Sequence, residues 1–186
     1  MEAIILCGLP ASGKTTVAKI IAKKFHWKVM GGTEILKEMA KKKGYKMSGD
    51  DWWDTPHGIK FLKERKTNPN FDKETDRIML RLIRKGNVVM TSYTAPWLSK
   101  KGFKCWLSAP LNERAARMAR RDSTHVKESI KATRIRDREN QALYRKLYHI
   151  QFGKDFRPFD MVIDTKKASA RKVASMIIKA YSAHNK

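Results

Sequence analysis

Residues 2–15 read Glu-Ala-Ile-Ile-Leu-Cys-Gly-Leu-Pro-Ala-Ser-Gly-Lys-Thr, an apolar run followed by a glycine-framed loop ending in a lysine and a hydroxyl. Gly8–Thr15 fits G-x-x-x-x-G-K-[ST], the spacing of a phosphate-cradling P-loop. Each residue type suits that chemistry. Gly8 and Gly13 permit backbone angles and close approaches that a Cβ obstructs. Pro10, Ala11, Ser12 and Gly13, running on through Lys14, Thr15 and Thr16 into a helix N-terminus, form a concave nest for phosphate oxygens. Lys14 is placed to bridge β- and γ-phosphates, and the Thr15 hydroxyl to ligate Mg²⁺. The motif therefore implies nucleotide binding with Mg²⁺, and does not name the reaction.

A second set of residues bears on what receives the phosphate. An acceptor phosphate is already anionic and needs no base, whereas an alcohol gains from a carboxylate that accepts its proton. Glu34 and Asp76 are the candidate carboxylates. Glu34 serves equally as a helix N-terminal carboxylate favoured by the macrodipole, and Asp76 as a surface-helix residue. Arg117, Arg121 and Arg136 have the charge that a metaphosphate-like transition state requires; each also fits a solvated helix face. Lys37, Thr91, Tyr93 and Trp97 complete the candidate acceptor side.

The elements that must position these residues alternate. Ala3–Cys7, Lys28–Met30, Asn87–Thr91, Phe103–Leu107 and Met161–Ile163 read as strands. Helical patterns fall at Thr15–Phe25, Thr33–Lys43, Asp51–Glu64, Asp72–Arg84, Leu111–Arg121, Val126–Tyr148 and Ser169–Ala183. This alternation predicts an α/β fold with a five-stranded parallel sheet between two helical layers. Right-handed crossovers then place the residues just after each strand along one ligand-facing edge. Gly31–Lys37, Thr91–Trp97 and Ser108–Arg114 are those residues, and Asp164-Thr165 follows the last strand. Residues 1–186 read as one domain with two excursions: a helical acceptor-binding one at about 33–85, and a basic lid at about 120–158. Trp52, Trp53 and His57 lie in the first, either closing on the acceptor or packing a small helical subdomain.

The 186 residues carry 41 Lys+Arg against 18 Asp+Glu, a formal charge of +23. Such an excess fits a nucleic-acid partner, a site for several phosphates, or a solvated lysine-rich surface. No run approaches the roughly 18 apolar residues that span a bilayer, so no membrane association is expected. The N-terminus enters an apparent core strand at once, leaving no room for a signal peptide. Cys7 and Cys105 lack metal-ligand spacing and read as buried thiols, which suits a cytoplasmic protein.

One ordered set of segments goes beyond the generic loop. Gly-Thr-Glu-Ile-Leu-Lys-Glu-Met-Ala at 32–40, Asp-Lys-Glu-Thr-Asp-Arg at 72–77 and Gly-Asn-Val-Val at 86–89 come first. Trp97, Trp-Leu-Ser-Ala-Pro-Leu-Asn-Glu-Arg at 106–114, Arg117 with Arg121, Arg136-Asp137, Tyr144 with Tyr148, and Val-Ile-Asp-Thr at 162–165 follow. With these the chain resembles the P-loop nucleoside monophosphate kinases, and more closely the archaeal cytidylate kinase family. The resemblance implies a kinase using ATP and Mg²⁺ on a small anionic acceptor. It departs on the acceptor side. Where that family carries Glu-Gly-Arg, this chain has Thr91-Ser92-Tyr93. Where it has an aromatic followed by a phosphate-gripping arginine, this chain has Leu36-Lys37, and the lid arginine pair before the tyrosine has become Ala142-Leu143. Lysine lacks the bidentate fork of arginine, and tyrosine lacks its charge. The altered set is similar to a branch that phosphorylates mevalonate 3-phosphate at its 5-hydroxyl, which implies an alcohol acceptor. CMP or dCMP is the alternative acceptor, and a nucleic-acid-binding P-loop protein or polynucleotide kinase a further one.

Overall fold

The computed structural model describes residues 1–46 and 70–184, together with His57, Lys60, Phe61, Glu64 and Asn68. In chain order the elements are β1 (Ile4–Cys7), α1 (Lys14–Phe25), β2 (Lys28–Gly31), α2 (Gly32–Lys42), α3 (Asn70–Lys85) and β3 (Val88–Thr91). They continue with α4 (Ala95–Leu98), β4 (Phe103–Ser108), α5 (Leu111–Asp122), α6 (Val126–Tyr148), β5 (Met161–Asp164) and α7 (Ala170–His184). The sheet is parallel throughout, in the order β2-β3-β1-β4-β5.

β1 explains why the sheet is buried on both sides. Its residues are all inaccessible, and successive side chains point to opposite faces. Ile4 and Leu6 join Val17, Ile21, Val173 and Ile177 of α1 and α7. Ala3 and Ile5 join Ile35, Met79 and Ile83 of α2 and α3. Truncating a residue such as Ile4 to alanine would cost about 2–5 kcal/mol. This double burial fixes β1 at the centre of the sheet, so the loop that leaves it sits at the middle of the ligand-facing edge.

The short helix α4 is an addition to the sequence reading. The Ser92 hydroxyl oxygen starts it by accepting from the backbone amides of Thr94 (3.2 Å) and Ala95 (3.0 Å), a serine-turn arrangement that bends the chain straight after β3. Trp52 and Trp53 lie outside the described residues. His57 lies edge-on to Tyr45, with ring centroids 6.2 Å apart.

Candidate active site

The loop between β1 and α1 has the backbone its sequence demands. Gly8 has φ +148° and Gly13 φ +97°, and Ala11 also takes a positive φ of +61°. A Cβ on Gly8 would lie 2.3 Å from the Leu107 carbonyl oxygen, so glycine there is a requirement of close packing against β4. Gly13 caps α1 without a side-chain bond, and the first turn of α1 holds no acidic residue. The amides at that helix start lack intrahelical acceptors and present positive dipole ends. Buried Ser12 Oγ has no hydrogen-bond partner among the described residues. Thr15 and Thr16 are exposed at the mouth. These features fit a bound triphosphate, with Thr15 Oγ1 available to a Mg²⁺ ion.

Lys14 bends back across the loop. Its ammonium donates to the carbonyl oxygens of Gly8 (2.8 Å) and Leu9 (3.0 Å) and lies 4.9 Å from the Tyr93 ring centroid. Burial lowers its pKa from the ordinary lysine value to about 8, with the charges of Arg114 and Arg136 adding to the effect and that of Cys7 opposing it. Under the loop, burial pushes the Cys7 thiol up to about 12, so both Cys7 and the sequence reading agree on an inert buried thiol.

The candidate arginines divide. Arg117 donates to Thr165 Oγ1 (3.0 Å), to the Thr165 carbonyl oxygen (2.8 Å) and to Glu113 (3.0 Å). Thr165 in turn lies within hydrogen-bond distance of the Ser12 carbonyl oxygen, at 3.2 Å, which joins the segment after β5 to the P-loop. Arg121 is exposed and pairs with its neighbour Asp122 at 2.6 Å. Arg136, on α6, is exposed and close enough for its charge to act on Lys14 and on Tyr93.

On the acceptor side, Gly31 gathers two candidates. A Cβ there would lie 2.4 Å from Thr91 Oγ1 and 2.8 Å from Glu34 Oε2, so the hydroxyl and the carboxylate close over the same glycine. Glu34 is exposed in the first turn of α2, and Lys37 is half-buried one turn on. Leu36 faces the other way, into a cluster with Ala40, Phe61 and Phe71.

Two placements correct the sequence reading. Asp76 is not a surface residue: it is 8% exposed and accepts from the Thr94 hydroxyl at 2.6 Å and from the Tyr148 hydroxyl. Its carboxylate is thus committed to joining α3, the segment after β3 and the end of α6. It ties together the candidate acceptor side and does not stand open as a base. Burial and the Asp76 bond both raise the Tyr148 pKa. Trp97 is turned into an aromatic cluster, edge-on to Phe159 at 5.2 Å and to Phe152 at 6.2 Å. The aromatic-rich return segment before β5 covers it. Tyr93 shares that cluster on one side, 5.4 Å from Phe152 and 5.9 Å from Tyr144, while its ring meets Lys14 on another.

A residue absent from the sequence-based site is Arg114 of α5. It is 3% exposed and forms a bidentate pair with Asp137 of α6. Its signals in the sequence were its position after β4, on the ligand-facing edge, and its place at the end of the 106–114 segment of the resemblance.

Residues 4–167 match the cytidylate kinase-like family. The chain belongs to that family. It is 33% identical over 175 residues to the cytidylate kinase of Pyrococcus horikoshii, covering 94% of this chain and 85% of the relative. To the cytidylate kinase of Methanocaldococcus jannaschii it is 31% identical over 182 residues, covering 95% and 96%. Among solved structures, shikimate kinase from Acinetobacter baumannii in complex with shikimate has a TM-score of 0.59 at 18% identity, covering 99% of this chain and 94% of that one. An uncharacterized protein from Eubacterium ventriosum has a TM-score of 0.65 at 16% identity, covering 98% and 99%. These structural likenesses establish the α/β kinase fold. As a member of the cytidylate kinase-like family the protein is a phosphotransferase, a small-molecule kinase with a nucleotide-binding P-loop. No helix among the described residues is long and apolar enough to cross a membrane.

Proposed function

We propose that the protein transfers the γ-phosphoryl of ATP, with Mg²⁺, to a small anionic acceptor held between Gly31–Lys37 and Thr91–Tyr93. The observation that carries this reading is the P-loop: Lys14 reaches from the donor loop to the Tyr93 ring at the head of the acceptor side. Mg²⁺ bound at Thr15 would supply charge neutralisation at the phosphates. The chain's own part is positioning. Amides at the start of α1 and the Lys14 ammonium orient the phosphates. Arg117, Arg121 and Arg136 meet the charge that spreads over the moving phosphoryl oxygens. Closing these groups over the site excludes competing water.

Two acceptors suit this arrangement, and each has its own support. CMP or dCMP is favoured by the relatives, which are named cytidylate kinases over nearly the whole chain; this acceptor has the fuller support from comparison. A phosphorylated alcohol such as mevalonate 3-phosphate is favoured by the site. There Thr91 and Glu34 flank Gly31, and Lys37 and Tyr93 stand where the resembling kinases have arginines. In that second case Glu34 accepts the hydroxyl proton, the alcohol oxygen forms the new P–O bond, and ADP carries away the electrons of the broken one.

An acceptor panel with ATP decides between them. Turnover of CMP without turnover of phosphorylated alcohols supports the nucleotide reading, and the reverse supports the alcohol. Turnover of neither class defeats the proposal. Glu34→Gln adds a mechanistic arm: a large loss of kcat belongs to an alcohol acceptor, and an unchanged kcat removes Glu34 as base.

A further inference from the structure

The Arg114 guanidinium uses four of its five donors. Nε donates to the Ala109 carbonyl oxygen at 3.1 Å, and Nη1 to the Pro10 carbonyl oxygen at 3.2 Å. Nη1 and Nη2 also donate to the two carboxylate oxygens of Asp137, at 3.0 and 2.7 Å. One buried side chain therefore touches the P-loop, the segment after β4 and the long helix α6. The paired fork fixes Asp137 in distance and in plane. Set against an apolar replacement, a buried pair of this kind adds little net stability, so its contribution is better sought in geometry.

Asp137 is the residue next to Arg136. Among the described residues Arg136 makes no ion pair within salt-bridge distance, and its charge acts on Lys14, Tyr93 and Asp122. It projects from α6 one residue before the Asp137 that the Arg114 fork grips, so that fork helps to fix the turn from which Arg136 extends. We infer that Arg114 and Asp137 are positioning residues, coupling the P-loop through Pro10 to the lid helix and holding Arg136 over the transferring phosphoryl. This rests on the proposed role of Arg136 at that phosphoryl. It predicts that a loop rearranged by nucleotide moves the Pro10 carbonyl, and with it the arginine that completes the site.

The test uses the full chain and two readouts. One is retention of ADP with aluminium fluoride, a mimic of the transferring phosphoryl that needs no acceptor, compared with ADP alone. The other is kcat with whichever acceptor turns over in the panel. Arg136→Met, Asp137→Asn and Arg114→Lys are each expected to weaken ADP–aluminium fluoride binding and kcat by about 10–100-fold, the scale of a misplaced catalytic group. ADP binding alone should stay within about threefold, a bound that separates a transition-state effect from uniform binding. In the Arg136→Met background, Asp137→Asn should add nothing, because residues acting through one group are not additive. If the double variant instead loses the product of the single effects, the pair does not act through Arg136 and the inference fails. An Arg136→Met variant with full activity overturns the phosphoryl role itself, a result distinct from the first. Arg114→Met with Asp137→Leu controls for folding: a stable double variant with undiminished kcat also overturns the inference.

Discussion

The ammonium of Lys14 stands 4.9 Å from the centroid of the Tyr93 ring, which puts a donor-side cation against the first aromatic of the acceptor side. Cation–π contacts of this kind are worth about 0.5–2 kcal/mol, more when desolvated. Tyr93→Phe keeps the ring and should leave ATP affinity within about twofold on that account. Tyr93→Ala removes it and should change ATP affinity by more than Tyr93→Phe does, up to about 2–30-fold, the same energy expressed as a ratio. Titration calorimetry with ATP separates the two variants.

Lys14 also predicts a pH dependence. Its pKa is lowered to about 8 by burial, while the unfolded chain holds it near 10.4. Between these values the unfolded state binds more protons, so stability rises with pH over that window. The penalty of the buried charge is fully present below about pH 8. Phosphate binding needs the charged form, so ATP affinity should fall as pH passes upward through about 8. At pH 8–9, ATP binding should take up a proton, read as a buffer-dependent heat in calorimetry. The absence of any buffer dependence there would contradict the assignment.

Lys14→Met should abolish most catalysis while leaving the fold intact. Removing one preorganised group at developing charge typically lowers kcat by about 10²–10³-fold. Steady-state kinetics measure the loss, and circular dichroism confirms that the variant remains folded.

Asp76→Ala leaves the hydroxyls of Thr94 and Tyr148 without their shared acceptor. An unsatisfied buried polar group costs about 1–3 kcal/mol. For a chain of this size, each kcal/mol lowers Tm by about 2–4 °C, so thermal denaturation should show a drop of several degrees. Tyr148→Phe removes the bond from Tyr148 and keeps that from Thr94, so it should fall between Asp76→Ala and the parent.

Gly31 has an extended backbone, φ −154°, so Gly31→Ala introduces a steric problem and no backbone strain. The new Cβ meets Thr91 Oγ1 at 2.4 Å and Glu34 Oε2 at 2.8 Å. Acceptor KM should rise with ATP KM unchanged. Thr91→Ala in the same chain should recover part of the loss, because it removes the nearer obstruction.

The sheet, its flanking helices and the donor loop were legible because each depends on local signals. Glycine framing marks the loop, and apolar runs alternating with amphipathic ones mark the βα units. What escaped the sequence depends on partners far along the chain. Asp76 looked like one more polar residue on an amphipathic helix until Tyr148, 72 residues away, was found bonded to it. Trp97 sat at a ligand-facing edge by topology, yet Phe152 and Phe159 return to cover it. Arg114 was hidden among basic residues of α5 because neither its burial nor its pairing with Asp137 leaves a spacing signature. Glu34 and Thr91 were each visible alone; only the fold brings both onto Gly31.

Among the contacts that hold helix α6 are one near its middle, to Arg114, and one at its end, to Asp76. A rod held at two points cannot swing as a free flap. The two contacts lead to different parts of the candidate site: Arg114 touches the P-loop at Pro10, and Asp76 the segment after β3 at Thr94. In the proposed kinase, a lid that moved here would strain both halves of the candidate site together, which would give the transfer a mechanical reason to wait for the acceptor.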